Sequence, residues 1–333
     1  MENKFKRSFV LFLCIIVIVL SLFALNLTTS YAGPDGSGNN FFYKGPTAFA
    51  VLPANKFVTI QSFTYQTWGA VFNKNGIATN ISNTENRYVF LSEYVWTHKL
   101  LGLTNFFEFL LPFGNATANA TPSNPSYENS SSGIGDPLLY YGVYAYNYNS
   151  ANFGFNIFPQ ISVTVPAGNW SNNSTVNLGG DEWQIQPALT GEFDFKTNLS
   201  FLKQVAMSYA VGFSKNEGHS SINMANLNNN GVSITDPGNN IFGDVFINFF
   251  ILPNLDIYNE TTGVRQYNNY GYKNAAEPEF QLLNSGYIDV ATGAGIDYHI
   301  KNNIQLDFRV LRDIHGKNGP DGFYSEGDII IAF

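Results

Sequence analysis

The residues that could carry chemistry in this 333-residue chain are few: one cysteine, four histidines and a scatter of carboxylates. His98, His219, His299 and His315 share no close spacing, so metal binding by them needs a coincidence of folding rather than a motif. Asp181-Glu182 could pair as an acid and a base, but a turn is the expected setting, where such a pair is a solvated loop. Gly133-Ile134-Gly135-Asp136 has the glycine content of a phosphate loop. No helix pattern follows it, so a tight turn placing an Asp at a strand end is the better reading. No serine sits in a G-x-S-x-G elbow. The expectation is a non-enzyme with no cofactor and no metal.

Charged residues of both signs do occur at regular intervals within alternating segments. In residues 183–196, Trp183, Ile185, Pro187, Leu189, Phe193 and Phe195 fall on one face, and Gln184, Gln186, Thr190, Glu192, Asp194 and Lys196 on the other. In residues 304–310, Gln305, Asp307 and Arg309 alternate with Ile304, Leu306, Phe308 and Val310. Residues 153–165 and 204–214 repeat the pattern. This period-two spacing is that of strands with one apolar face. Inside a closed barrel, Gln184, Gln186, Glu192, Asp194, Lys196, Gln305, Asp307 and Arg309 become candidates for pore lining, where charged side chains set selectivity.

Composition favours lipid as the apolar neighbour. Charged residues make up only 13% and aromatics 16%, whereas a soluble protein carries about 25% charged residues. The formal net charge of −8 argues against a nucleic-acid partner. Residues 1–32 read as a signal peptide: Lys4, Lys6 and Arg7 precede the apolar run Phe9 to Phe23, and Ser30-Tyr31-Ala32 offers a cleavage site. Its removal takes Cys14, the only cysteine, and leaves a mature chain without disulfides.

About twelve strands are expected near 57–72, 87–98, 105–111, 136–148, 153–165, 183–196, 205–213, 241–252, 255–267, 285–300, 304–312 and 324–333. Long links near 73–86, 112–135, 166–182, 214–240, 268–284 and 313–323 alternate with short ones such as Asn149 to Asn152, Pro253-Asn254 and Lys301 to Asn303. An even strand number with this rhythm predicts an all-β fold, a transmembrane antiparallel up-and-down β-barrel over residues 57–333, in a bacterial outer membrane with both chain ends in the periplasm. Residues 33–56 are then a periplasmic lead or a lumen plug, with Phe41, Phe42 and Tyr43 as plug candidates.

Two features qualify the pattern. Pro159 and Pro187 lie inside strands and are expected at bulges, and the strand 105–111 is short and contains Glu108. Tyr94, Trp96, Tyr140, Tyr141, Tyr144, Tyr146 and Tyr148 crowd strand ends, as an interfacial aromatic girdle would; an aromatic-lined path is the rival reading. Asn115, Asn169 and Asn259 open Asn-x-Ser/Thr triplets, which arise easily in an Asn-rich chain. The last strand sets Gly327, Ile329, Ile331 and Phe333 at alternate positions, resembling the sorting signal read by the barrel-assembly machinery.

Several of these segments resemble the outer-membrane family of the meta pathway of phenol degradation, also called SphA-type transporters. The resemblance rests on Gly133-Ile134-Gly135-Asp136 entering a central strand and on Ile161 to Gly168 closing in Val165-Pro166-Ala167-Gly168. It also rests on Leu178-Gly179-Gly180 before the Trp183 strand, and on a late hairpin from Gly286 to Val310. It implies a barrel that moves aromatic or other hydrophobic compounds and carries no catalytic residues. Passive passage of a small solute across the outer-membrane lipid is therefore the leading expectation. The alternatives are a closed structural or adhesive barrel acting through its long loops and, further off, an outer-membrane hydrolase using His98 or His299.

Overall fold

The structure is a computed structural model that describes residues 52–72, 77–118, 129–169, 178–179, 182–197, 199, 201–218, 232–234, 239–267, 272–274, 288–301, 303–317 and 320–333. The signal-peptide reading, the plug candidates Phe41, Phe42 and Tyr43, and His219 lie outside these residues. The described strands are β1 (Phe57–Phe72), β2 (Ala78–Leu100), β3 (Leu103–Ala118), β4 (Asn129–Ile134), β5 (Leu138–Val143), β6 (Tyr146–Asn149), β7 (Phe153–Thr164) and β8 (Glu182–Lys196). They continue with β9 (Gln204–Gly218), β10 (Val232–Ile234), β11 (Asn239–Leu252), β12 (Leu255–Tyr267), β13 (Tyr272–Asn274), β14 (Ile288–Lys301), β15 (Ile304–Lys317) and β16 (Pro320–Ala332). Among the described residues there is no helix.

The long wall strands pair antiparallel in chain order, β9 with β11 and β12 with β14 among them, and β1 pairs with β16, so the sheet closes on itself. β4, β5 and β6 occupy one position of the wall between β3 and β7, while β10 and β13 form a separate two-stranded ribbon. The result is a closed twelve-stranded transmembrane barrel. Closure matters because a bilayer offers no water to satisfy a free strand edge. Phe57 and Phe333 exchange backbone hydrogen bonds at the seam, at the same end as the short turns.

Alternation decides which side chains face where. Phe63 is 54% exposed and Trp96 52%, and Trp183, Leu189, Val211, Ile257 and Phe308 lie on the same outer surface. Their in-strand neighbours Ser62, Thr97, Gln184, Thr190, Asp256 and Arg309 are buried inside. An outer belt this apolar, continuous around the wall, is stable only against lipid. Gly327, Ile329, Ile331 and Phe333 lie opposite the interior set Glu326, Asp328 and Ile330 in the alternation of β16, and Ile329 and Phe333 are exposed.

The structure corrects several expectations. The strand near 105–111 is not short, because β3 runs over 16 residues. The links expected at 73–86 and 313–323 are mostly strand, since β2 starts at Ala78 and β15 and β16 extend to Lys317 and from Pro320. Polar residues continue the ladder there because the strands project past the apolar belt, where alternation loses its hydrophobic partner. The prolines make no bulge in their own strands: β7 and β8 stay in register from Phe153↔Phe195 to Thr164↔Gln184. The irregularity falls instead on the neighbour of Pro159. Gly142 pairs with Gln160 and Tyr146 with Ile157, so three residues face two where Pro159 has no N–H to give. At Pro187 the ladder with β9 lapses between Ile185↔Lys215 and Ala188↔Gly212 without a change of register.

The aromatic girdle also divides. Tyr94, Trp96, Tyr146 and Tyr148 are exposed on the outer surface, but Tyr140 and Tyr144 are buried in the interior. Asn115 and Asn259 lie in barrel strands, and the Asn169 side chain donates to the Ser132 carbonyl at 2.8 Å.

Candidate functional site

The polar faces of the alternating strands converge on the interior of the barrel, which is chemically two-sided. On β15, Arg309 is 1% exposed and stands beside three other strands. Its Nη1 donates to Glu260 Oε2 on β12 at 2.9 Å and its Nη2 to Glu326 Oε1 on β16 at 2.7 Å. The Tyr324 hydroxyl donates to the other oxygen of Glu326, and the guanidinium carbon lies 5.6 Å from the centre of the Tyr324 ring. Asp307 Oδ1 accepts from the Tyr258 hydroxyl at 2.8 Å. Register sets this up, because Arg309 lies opposite both Gly295 and Glu326, and the small Gly295 leaves room for the Tyr258 ring.

Gln184 and Gln186 are buried on β8, and Gln186 Oε1 accepts from Ser162 Oγ at 3.1 Å. Glu192 Oε2 accepts from Ser208 Oγ at 2.8 Å, and Asp194 Oδ1 from Gln204 Nε2 at 2.8 Å. Asp194 is half-buried and Lys196, at the end of β8, is exposed. The β15 set of Gln305, Asp307 and Arg309 is thus built into a polar network with β12, β14 and β16, whereas the β8 set bonds its immediate neighbours. Ring order places the two sets on well-separated parts of the wall. Sequence reasoning missed Glu260, Tyr258, Glu326 and Tyr324. The alternation of Asp256, Glu260 and Thr262 with Ile257 and Thr261 was available, but Tyr258 and Val264 on the same face hid it.

Across from the polar side the interior carries an apolar cluster. Phe106 and Leu110 from β3, Leu138 and Tyr140 from β5, Tyr144 from the break between β5 and β6, and Phe158 from β7 pack together there. The Phe106, Tyr144 and Phe158 ring centres are 5.2 to 6.1 Å apart, the range of favourable aromatic pairs. Phe242 and Phe246 of β11 extend this surface, and Phe246 is 0% exposed. Leu52, just ahead of β1, packs against the same cluster, and the Tyr144 hydroxyl bonds its backbone. Pro53 and Lys56 carbonyls accept from Thr97 Oγ1 and Thr97 N–H respectively. Asn55 makes the bend with φ of 60°, a conformation its short polar side chain tolerates. The chain leading into β1 therefore reaches the interior wall at residue 52.

The short motifs singled out in the sequence meet at one junction at the other end of the wall. Asp136 Oδ1 accepts from the backbone N–H groups of Ala167 at 3.1 Å and Gly168 at 2.7 Å. Asn169 N–H donates to the Ile134 carbonyl at 2.6 Å, and Gly179 N–H to the Asn169 carbonyl at 3.0 Å. A Cβ on Gly168 would lie 2.7 Å from the Asp136 nitrogen, and one on Gly179 would lie 2.9 Å from Asp136 Oδ1. Asp136 is therefore a structural acceptor that ties the break between β4 and β5 to the segment after β7, and Gly133 reaches its φ of 134° beside Asn169.

The same architecture occurs in solved structures. The chain is similar to an outer membrane channel from Pseudomonas putida F1, with a TM-score of 0.67, 16% identity, 87% of this chain covered and 100% of that one. It also matches the transport unit of the autotransporter AIDA-I from Escherichia coli, with a TM-score of 0.47, 12% identity, 91% of this chain covered and 100% of that one. No curated protein matches the chain. The first likeness establishes the barrel as an outer-membrane fold. The sequence pattern of a family described as "Putative MetA-pathway of phenol degradation" matches residues 75–324. That span takes in the Asp136 junction, the β8 strand and the late hairpin, and the chain belongs to this family.

Proposed function

We propose that the barrel is an outer-membrane channel for passive passage of small hydrophobic or aromatic compounds, and not an enzyme. The observation that carries this reading is the apolar face of the interior, formed by Phe106, Leu110, Leu138, Tyr140, Tyr144 and Phe158. Closure of the sheet already satisfies the backbone, and the interior of a membrane barrel is otherwise polar, so an apolar inner face sets the chemistry of the lumen. These side chains give a ring-bearing solute an apolar surface, with Arg309 and Asp307 on the opposite wall and Glu192 beside the aromatic face supplying the charge of the lumen. Membership in a family named for phenol degradation supports the solute class. The similar barrel from Pseudomonas putida F1 is itself described as a channel.

Residues 33–56 act in this reading as a plug, with Phe41, Phe42 and Tyr43 as its candidate blocking residues. The support is the course of the chain at Leu52 to Lys56, which enters against Tyr144 and Thr97 rather than leading away from the barrel. Export by a cleaved signal over residues 1–32, and assembly by the barrel-assembly machinery through the strand ending in Phe333, complete the proposal.

Uptake of a labelled single-ring aromatic by porin-deficient cells tests it. Cells making the chain should take it up faster than cells making Phe158→Glu at equal outer-membrane levels. Equal rates would remove the aromatic face from the path. Deleting residues 33–50 should raise single-channel conductance in planar bilayers, and an unchanged conductance would remove the plug. A closed barrel acting through its loops predicts no permeation by any solute in either form.

A further inference from the structure

The register of the polar wall lines up carboxylates. Asp256 lies opposite Asp297, Asp297 opposite Asp307, and Asp307 opposite Asp328, on four successive wall strands. All four residues are buried on the interior face. Cross-strand neighbours on one face stand ~5 Å apart, and like charges so placed destabilise a sheet. The charge of Arg309 reaches Asp307 and Asp328, but its two Nη groups bond Glu260 and Glu326, so Asp256 and Asp297 at the other end of the row are left without a cation of their own.

At the short-turn end of this row stands a side chain with metal-binding chemistry. His299 Nε2 lies 3.6 Å from Asp256 Oδ2 and 3.8 Å from Asp297 Oδ2. One ligand atom from each of the three residues can be chosen so that all lie within 4.8 Å of one another. Both His–Asp separations exceed hydrogen-bond length, so that nitrogen is committed to neither carboxylate. Ligands on a tetrahedral zinc at about 2.0–2.1 Å stand roughly 3.3 Å apart, a spacing that small side-chain rotations reach from here. Gln305 Nε2 donates to Asp297 Oδ2 at 2.6 Å, the kind of outer hydrogen bond that orients a ligating carboxylate. A separate sign points the same way. Asp297 is 0% exposed, yet its Oδ1 accepts no hydrogen bond, and neither does Oδ2 of buried Asp307 opposite. Buried oxygens without a donor are costly, and a cation removes that cost.

We propose that Asp256, Asp297 and His299 form a divalent-metal site of the zinc type inside the short-turn end of the barrel, oriented by Gln305. One nitrogen and two oxygens are a donor set for zinc or a similar transition ion; calcium and magnesium favour oxygen alone. His299 is the exposed member, with 36% of its side chain accessible, and gives the ion its way in. The site stands whether or not the barrel conducts a solute.

The test is calorimetric titration of Zn²⁺ into the untagged, folded barrel in detergent after chelator treatment and dialysis. One saturable Zn²⁺ per chain is expected. Loss of an outer-shell partner costs roughly 10–100-fold in metal affinity, so Gln305→Leu should weaken binding by about 10-fold, and Asp256→Asn or His299→Gln by at least as much. His315→Gln, away from the site, should bind as wild type. Gel mobility before and after boiling reports whether each variant is folded. If Asp256→Asn fails to fold, His299→Gln alone decides, because the partly exposed imidazole is the member least needed by the fold. No saturable binding by wild type overturns the proposal. So does binding that His299→Gln leaves unchanged, which would mean that the carboxylate row attracts cations without the imidazole.

Discussion

Arg309 shows how a single buried charge can hold several strands. It reaches one carboxylate on each side, Glu260 and Glu326, and covers the Tyr324 ring. A buried ion pair adds little over a hydrophobic substitute, but removing one partner leaves the others uncompensated at about 3–5 kcal/mol. Arg309→Met should therefore lower the stability of the folded barrel by about that much, measured by guanidinium unfolding in lipid vesicles. Glu260→Gln with Glu326→Gln in the same background should recover much of the loss, because the stranded charges go with the arginine. A stability of Arg309→Met equal to wild type would mean that the network is solvated from the lumen and contributes no more than a surface pair. Arg309 and Asp307 could be read as interior residues from alternation alone. Their partners could not, because pairing across strands depends on register, and nothing in residues 255–267 tells that Glu260 ends up beside Arg309.

At the scale of the element, the Asp136 junction explains why a wall strand is broken between β4 and β5. Ile134 pairs with Phe113 and Leu138 with Leu110, so the three residues 135–137 face two, and the loosened backbone is captured by the segment after β7. Gly168→Ala would drive a methyl onto the backbone of Gly135 and Asp136, where no side chain can swing away. Overpacking of this kind costs about 1–3 kcal/mol. Asp136→Ala should cost a similar ~1–3 kcal/mol by leaving two N–H groups without their acceptor. In both variants protease cleavage after β7 should speed up on intact cells while boiled and unboiled gel mobilities still differ; unchanged cleavage would show the junction to be dispensable. The fragments Gly133 to Asp136, Val165 to Gly168 and Leu178 to Gly180 were legible as separate motifs. That they form one contact was not, since they are separated in sequence and carry no charge pairing or period that relates them. Strand limits failed for the same kind of reason. Past the apolar belt, polar residues such as Asn86 and Thr117 stay in the ladder, and hydrophobic alternation cannot mark a strand whose two faces are both wet.

For the molecule as a whole, the bilayer does the work that a second sheet does in a soluble sandwich. The interior carries only part of the apolar surface, and the greater share, from Phe63 and Trp96 to Leu189 and Phe308, points outward. The barrel should then be sensitive to charge on its outer face according to depth rather than burial. Leu189 lies mid-strand, in register with Pro159 on one side and Val211 on the other, while Tyr148 lies beside a short turn. A lysine on the lipid face costs about 2–4 kcal/mol at the bilayer midplane and about 0–1 kcal/mol near the interface. Leu189→Lys should therefore lose about 2–4 kcal/mol against wild type in vesicle unfolding, and Tyr148→Lys about 0–1 kcal/mol, although both side chains are nearly equally exposed. Transfer to detergent micelles, which deform around a charge, should shrink the gap between the two variants. Equal losses in vesicles would mean that Leu189 does not sit at the hydrocarbon centre. The barrel would then be tilted or shifted relative to the belt that its outer residues define.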